Sequence, residues 1–245
     1  MWERVEKDGV VYYTATPFEN VSLYQSTRLG GVSVGNFESL NLLGGKGDKD
    51  ECVRENWKRF LSATQLEGDF VFLHQVHSAQ VYLASLGISG RAGDGLVSCD
   101  EGLIIGVFTA DCLPVFFASP CAVGIAHAGR RGVLAGVVEN LLKKLLAIGA
   151  SKDEIVVYFG PCIRECCYEV GEEVVGAKGF YHRDGKVFFD IPGYVKGVLQ
   201  GHGVTRIIDP GWCTFCNAKD EFFSYRRGQG VTGQQVSLIG VRRQT

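Results

Sequence analysis

The chain has no basic run, no uninterrupted apolar stretch of membrane length, no internal repeat and no low-complexity segment. Each absence excludes something. With 25 Lys and Arg against 27 Asp and Glu, and a formal net charge of −2, positive charge is nowhere concentrated as a nucleic-acid surface or an anionic membrane would require. The most apolar region, Leu113 to Ala126, carries Pro114, Ser119 and Pro120 and is shorter than the roughly 20 residues that span a bilayer. The opening "MWERVEKDGV" is charged at once and lacks the apolar core of a signal peptide. The expectation is a soluble, cytoplasmic protein with no nucleic-acid or membrane partner. Its oligomeric state is not written in these features.

What is present is a long apolar chain rich in thiols. Of 245 residues, 46% are hydrophobic and 33 are glycine. A chain of this size buries roughly 70–75% of its unfolded surface without help from disulfides, and a single catalytic domain over residues 1–245 is expected. The glycines are dispersed, which indicates tight turns and not a linker. Nine cysteines, an odd number without an export signal, point to free thiols or metal ligands.

The elements follow from hydrophobic period. "VYYTAT" and "VSLYQST" read as strands around the turn "PFEN", and "GGVSVGNFESLNLLGGKGDKD" as a long loop. Residues 48–62 read as a helix with Asp48 or Asp50 near its start. Residues 69–84 read as two strands or one bent strand carrying His74 and His77. The continuous apolar runs 102–109, 113–119, 122–127 and 154–160 read as buried strands. In 132–150, Val133, Val137, Leu141 and Leu145 recur at every fourth position beside Leu134, Val138, Leu142 and Leu146, so one long helix is expected there, ending near Gly149. A further helix follows "FFDIPG", a strand lies in "TRIIDPG", and the chain closes with a loop and a strand. Buried strands alternating with helices indicate an α/β fold, a mixed-sheet sandwich with helices packed on it.

Polar groups interrupt the most apolar runs at three places. His77 follows "FLHQV", Asp111 and Cys112 separate two apolar runs in "VFTADCLPVFF", and His127 ends "AVGIA". Taken singly, each has an ordinary structural explanation: a hydrogen-bonded histidine, a small hydrophobe, a turn cap. Taken together, two histidines and a cysteine form a donor set suited to zinc. Three protein ligands leave one tetrahedral position open, the catalytic arrangement. Spacing leaves open whether the three meet. Arg130 and Arg131 stand just before the helix expected from Gly132, where free N–H groups and guanidinium forks favour an anion, and Arg131 is the stronger candidate. "CTFC" (213–216) and "CIRECC" (162–167) supply Cys213, Cys216, Cys162, Cys166 and Cys167 as ligands for a second zinc site, but no matched CxxC pair exists.

These motifs identify a resemblance. "STRLGGVSVGNFESLNL" (26–42), "HQVHSAQV" (74–81), "GDGLVS" (93–98), "TADCLPV" (109–115), "AHAGRRG" (126–132), "GPCIRECCYEVG" (160–171) and "FFSYRR" (222–227) resemble, in order and almost end to end, the YfiH-type laccase-domain family. That family is described as purine nucleoside phosphorylases and formerly as multicopper polyphenol oxidases. The resemblance implies the α/β sandwich. It implies that His77, Cys112 and His127 form the metal and catalytic centre, usually with zinc, copper being the alternative. It implies that Arg28, Asn41, Asp94, Arg131, Tyr168 and Arg226 surround the pocket. Purine nucleosides and phosphate are the implied partners, and phosphorolysis, including that of methylthioadenosine, and adenosine deamination the implied activities. Where the family usually has an aromatic in "AGWRG", this chain has Arg130, a change that bears on substrate preference and not on the metal ligands.

Chemistry constrains this further. Deamination needs a carboxylate to carry protons, for which Asp111 is the adjacent candidate. Phosphorolysis needs an anion cradle, for which Arg131, with Arg28 or Arg226, is suited. A purine also wants an aromatic sandwich, with Tyr168, Phe37 and Phe223 as candidates. A laccase needs an additional imidazole-rich copper cluster, and five histidines in all, of which only His74, His182 and His202 remain, are too few. Two other readings stay open. In one, Cys112 is a nucleophile with His127 as base, in a hydrolase or amidase acting on peptidoglycan precursors. In the other, the chain is an interaction domain with a structural metal.

Overall fold

Strand pairing follows from the alternation of side chains along each apolar run. The computed structural model describes residues 1–171 and 179–243. One six-stranded sheet runs in the order β1 (Glu3–Lys7), β2 (Val10–Phe18), β3 (Val21–Ser26), β15 (Gln235–Val241), β7 (Leu103–Thr109), β4 (Asp69–Phe72). It is antiparallel except for the β4–β7 pair at its edge. The second six-stranded sheet has the order β14 (Ile207–Ile208), β10 (Val156–Phe159), β8 (Leu113–Ala118), β9 (Val123–Ala128), β6 (Gly95–Ser98), β5 (Val81–Leu83). Its central strands pair antiparallel and its two edge pairs parallel. A small antiparallel sheet joins β11 (Glu169–Val170), β13 (Lys186–Phe189) and β12 (Phe180–Arg183). His182 lies on β12, outside the cavity lining.

The two large sheets pack face to face. Leu23, Ile105 and Ile239 of the first meet Phe116, Ile125 and Tyr158 of the second in one apolar cluster. Helix α1 (Asp50–Thr64) covers the outer face of the first sheet, burying Phe60 and Ala63 against Tyr12, Ile104 and Leu238. On the outer face of the second sheet, α3 (Val137–Ala147) and α4 (Ile191–Gly201) bury Leu141, Leu145, Val195 and Leu199 against Val115 and Phe117. The period-2 rule is visible in β8, where Val115 and Phe117 face the helices while Phe116 and Ala118 face the other sheet. That strand is buried at every position, as an uninterrupted apolar run requires. α4 starts where Asp190 caps the backbone N–H of Gly193 at 2.9 Å, with Pro192 in its first turn.

Two expectations need correction. The single helix over 132–150 is two: α2 (Arg130–Leu134) and α3, separated at Ala135 and Gly136. Gly136 has φ +93°, a left-handed conformation that glycine adopts without a Cβ penalty, and it turns the chain out of one helix before the next begins. Apolar periodicity continues through the break because both helices press on the same sheet. His74 and His77 are not on strands either. The segment after β4 leaves the first sheet and joins the second only at β5, and His77 has φ +60°.

Candidate metal centre and active site

Sheet register brings the site together. In the β6–β9 ladder Gly95 pairs with Ala126, so the next residues outward, Asp94 and His127, stand side by side. The His127 N–H donates to the Asp94 carbonyl at 2.8 Å. In the β8–β9 ladder Leu113 pairs with Ala128, which sets Cys112 opposite Gly129. Cys112 itself lies where the chain crosses from β7 in one sheet to β8 in the other, a crossing made at Asp111 with φ +92°.

His77 is delivered by a loop that the Asp94 carboxylate holds. Backbone N–H groups of Val76, His77 and Ser78 donate to its two oxygens at 3.3, 3.0 and 2.6 Å, and the Ser78 hydroxyl at 2.8 Å. The Gln75 amide clamps the same loop to β7 through both polar groups of Phe108, each at 2.8 Å. Asp94 also hydrogen-bonds Nδ1 of His127 at 2.8 Å. One buried carboxylate thus positions both histidines.

The result is a compact donor set. The ligand atoms of His77, Cys112 and His127 all lie within 4.8 Å of one another. Cys112 Sγ is 3.8 Å from His77 Nε2, and the two imidazole rings meet edge-to-face with centroids 4.7 Å apart. The set fits a metal. His127 commits Nδ1 to Asp94, leaving Nε2 as a lone-pair donor, the usual carboxylate–histidine–metal relay. Gly129 is part of the cradle: a Cβ there would stand 2.7 Å from His77 Cδ2 and 3.0 Å from Cys112 Sγ. Two nitrogens and a sulfur suit zinc or copper and leave a coordination position free.

Electrostatics favour the same role. Burial alone would raise the Cys112 thiol, but the neighbouring His127 and His77 outweigh it and bring it from 9.0 down to about 6. Burial would lower His127, yet the Cys112 sulfur and the Asp94 carboxylate carry it from 6.5 up to about 9. Asp94, although buried, is held down at about 2 by hydrogen bonds from His127 and Ser78. Without a metal this is a thiolate–imidazolium–carboxylate chain, and a thiolate near neutral pH is ready to accept a cation.

The donor set opens into a cavity of about 1070 Å³. Arg130, Arg131 and Arg226 supply positive charge to it, and Phe72, Phe108, Tyr168 and Tyr225 supply aromatic surface. Arg226 lies 5.6 Å over the Tyr168 ring and donates to the Glu169 carbonyl at 2.9 Å. Of the remaining sequence candidates, Asp94 stands behind His127 as its hydrogen-bond partner. Arg28 and Asn41 do not line the cavity. The Arg28 guanidinium donates to the Glu38 carbonyl at 2.7 Å and lies 5.2 Å over Phe223. Asn41 is buried and braces its loop through Leu43, Asp48 and Gln234. Neither Phe37 nor Phe223 lines the cavity. Both arginines of "RRG" fall inside α2, whose five residues make too short a helix for a dipole argument, so any anion affinity rests on their guanidinium groups.

Asp111 touches the cavity, but its carboxylate is committed. Oδ1 accepts from the Thr214 hydroxyl at 2.6 Å and Oδ2 from the Arg226 N–H at 2.7 Å. It fixes the backbone of Arg226 and is poorly placed to carry protons. Sequence reasoning missed Gln75, Ser78, Gly129 and Thr214. The first two lie inside the "HQVHS" motif, where polar residues flanking the ligand candidate His77 are a legible signal.

Residues 22–242 match the family model described as multi-copper polyphenol oxidoreductase laccase. The chain belongs to this YfiH-type family. It is 36% identical over 233 residues to the Escherichia coli protein named purine nucleoside phosphorylase YfiH, covering 90% of this chain and 94% of that one. It is 35% identical to the Deinococcus radiodurans purine nucleoside phosphorylase, over 89% and 88% of the two chains. Among solved structures, YlmD from Geobacillus stearothermophilus superposes with a TM-score of 0.87 at 28% identity, over 98% of each chain. A Neisseria meningitidis protein gives 0.83 at 32% identity, over 99% of each. The family description speaks of several coppers. Among the described residues the other convergent ligand group is all cysteine, and no second group of imidazoles meets. No helix among them is long and apolar enough to cross a membrane.

Proposed function

We propose that the chain is a metal-dependent purine nucleoside phosphorylase, with zinc held by His77, Cys112 and His127. One observation carries the reading: a metal-type donor set opens into a cavity that offers both guanidinium groups and aromatic faces. The names of relatives about 35% identical over nearly the whole chain support it.

Phosphorolysis breaks the bond between the ribose anomeric carbon and the purine nitrogen and forms one from that carbon to a phosphate oxygen. The chain must hold an anion, seat a flat base and accommodate charge on the departing purine. Arg131, with Arg130 and Arg226, binds the phosphate. The face of Tyr168, stiffened by Arg226, seats the base. A zinc ion on this donor set supplies Lewis acidity. Asp94 keeps His77 and His127 fixed while the charge distribution changes, so little reorganisation is needed during the reaction.

Methylthioadenosine phosphorolysis follows from the same chemistry. Adenosine deamination is a further expected activity, but it asks for a proton carrier. Asp111 is the one carboxylate residue among those lining the cavity, and both its oxygens are engaged. Phosphorolysis is accordingly the better-supported activity.

The second reading, a Cys112 nucleophile in an amidase acting on peptidoglycan precursors, is favoured by a specific geometry: Cys112, His127 and Asp94 form a nucleophile–base–orienter chain. Product analysis on a nucleoside panel decides between them. The expected result is free base and ribose 1-phosphate, formed only with phosphate present and abolished by metal removal. Amide hydrolysis that survives chelation but not alkylation overturns the phosphorylase assignment.

A further inference from the structure

A second ligand cluster lies outside the cavity and takes no part in the chemistry above. Cys166 and Cys167 sit on the turn that leads into β11; Cys213 and Cys216 sit on the turn between β14 and the closing strand. Their four sulfurs all lie within 4.8 Å of one another, with Cys166 and Cys216 3.6 Å apart. No disulfide joins them, since all nine cysteines are free, and a bonded pair would stand at about 2.05 Å.

That spacing has a chemical meaning. Four sulfurs each about 2.3 Å from a central zinc ion occupy the corners of a tetrahedron with edges of about 3.8 Å. A cage this tight encloses one ion and not a multinuclear iron–sulfur cluster, whose cysteine sulfurs stand further apart. Four protein ligands leave no position for substrate, so the ion is structural. We infer that Cys166, Cys167, Cys213 and Cys216 form a tetrathiolate zinc site that ties these two turns together.

Three independent features agree. First, the backbone already aligns the turns. Cys162 and Cys213 form an isolated parallel bridge, with the Cys162 N–H on the Trp212 carbonyl at 3.3 Å and the Thr214 N–H on the Cys162 carbonyl at 3.0 Å. Second, the "CTFC" turn is held closed by its own hydrogen bonds. The Cys213 N–H donates to Asn217 Oδ1 at 2.6 Å, and the Ala218 N–H donates to the Cys213 carbonyl at 3.0 Å. Third, the fifth thiol of the region is set apart. Cys162 is buried in the apolar core under the helices, so the cluster is selected by geometry and not by local abundance of cysteine. Arg183 donates to the Cys166 carbonyl at 3.0 Å, placing a positive charge beside a site whose four thiolates exceed the charge of the ion.

The site would brace the cavity from behind. Tyr168 directly follows Cys167. Thr214 lies between the two cysteines of "CTFC", and its hydroxyl holds Asp111, which holds the backbone of Arg226. Arg227 donates to the carbonyls of Thr214 and Phe222.

The test does not depend on any enzymatic activity. The Cys112→Ala chain, which lacks the sulfur of the other site, is purified with reductant and its metal content measured by elemental mass spectrometry. One equivalent of zinc per chain is expected. Grown in cobalt-enriched medium, the same protein is expected to show strong thiolate-to-cobalt charge transfer and tetrahedral d–d bands. Adding Cys166→Ser or Cys216→Ser should remove that equivalent, while Cys99→Ser should not. Cys216→His keeps a fourth ligand, so it should retain the ion and shift the cobalt bands even if the serine variants fold poorly. A metal-free Cys112→Ala protein, a disulfide within the cluster in the reduced preparation, or an unchanged cobalt spectrum in Cys216→His would overturn the assignment.

Discussion

His77, Cys112 and His127 project from a sheet ladder, a crossing between sheets and a loop clamped to both, and they open into a cavity. Cys166, Cys167, Cys213 and Cys216 lie on two turns at the edge of the same sheet system and face each other. The first group has three ligands, mixed nitrogen and sulfur, with a buried carboxylate behind it. The second has four ligands, all sulfur. Ligand count alone separates a site that can take substrate from one that can only hold chain segments together. The surroundings agree. The three-ligand group needs rigid strands because reactivity depends on geometry, whereas the four-ligand group can rest on turns because the ion itself supplies the order.

The largest expected effect falls on the first site. Cys112→Ala or His127→Ala should lower kcat/KM for nucleoside phosphorolysis by more than about 100-fold, beyond what loss of a supporting hydrogen bond does. Cys99→Ser, remote from both groups, should leave it unchanged. Full activity in either ligand variant, with circular dichroism intact, breaks the contrast between a reacting and a bracing site.

Gly129→Ala probes the same point without removing a ligand. Gly129 has φ −77°, which alanine adopts freely, so any effect comes from its Cβ meeting His77 and Cys112. Metal content of the three-ligand site should fall while the four-cysteine equivalent stays. Asp94→Asn should cost about 10–100-fold in metal affinity or activity through its hold on His127. It also removes a charge buried among hydrogen-bond donors, so the melting temperature should drop. The sign with pH is fixed. Because folding lowers the Asp94 pKa from 3.8 to about 2, its contribution to stability is complete above the unfolded value and disappears as pH falls through about 2. An acid-unfolding curve that Asp94→Asn leaves unmoved would contradict this.

Arg131→Ala should raise the KM for phosphate by about 10-fold, in line with loss of a charge-assisted hydrogen bond, with a smaller change in the KM for nucleoside. An unchanged phosphate KM would move the anion site to Arg130 or Arg226. The gentlest test is chemical. In metal-free protein, alkylation of Cys112 should slow about tenfold for each pH unit below about 6, where its thiolate is lost. In His127→Ala the inflection should move upward, since the imidazolium that favours the thiolate is gone.

Parts of this were legible in local pattern. The runs 102–109, 113–119, 122–127 and 154–160 are strands because an apolar side chain at every position suits a strand covered on both faces. "IIGVFT" and "LPVFFAS" behave so. The helix break at Gly136 was hidden, because the period of Val133, Val137 and Leu141 continues across it. His77 was expected on a strand because "FLHQVHSAQVYL" has strand composition, while the hydrogen bonds that hold it in a loop come from Asp94, 17 positions away in sequence.

Local composition, read over a few residues, determined the most buried strands, the α/β class and the presence of soft ligands beside them, because side-chain period reports which faces are buried. The ordered motifs determined the family. Only the tertiary structure decided which ligands meet. The β6–β9 and β8–β9 registers set Asp94 beside His127 and Cys112 opposite Gly129, and those registers are chosen by the packing of whole sheets. The four cysteines likewise come from segments about 50 residues apart and converge because Cys162 and Cys213 align on neighbouring backbones. Asp111 shows the limit most directly. Sequence placed it beside a metal ligand, and the fold turned its carboxylate toward Thr214 and the backbone of Arg226.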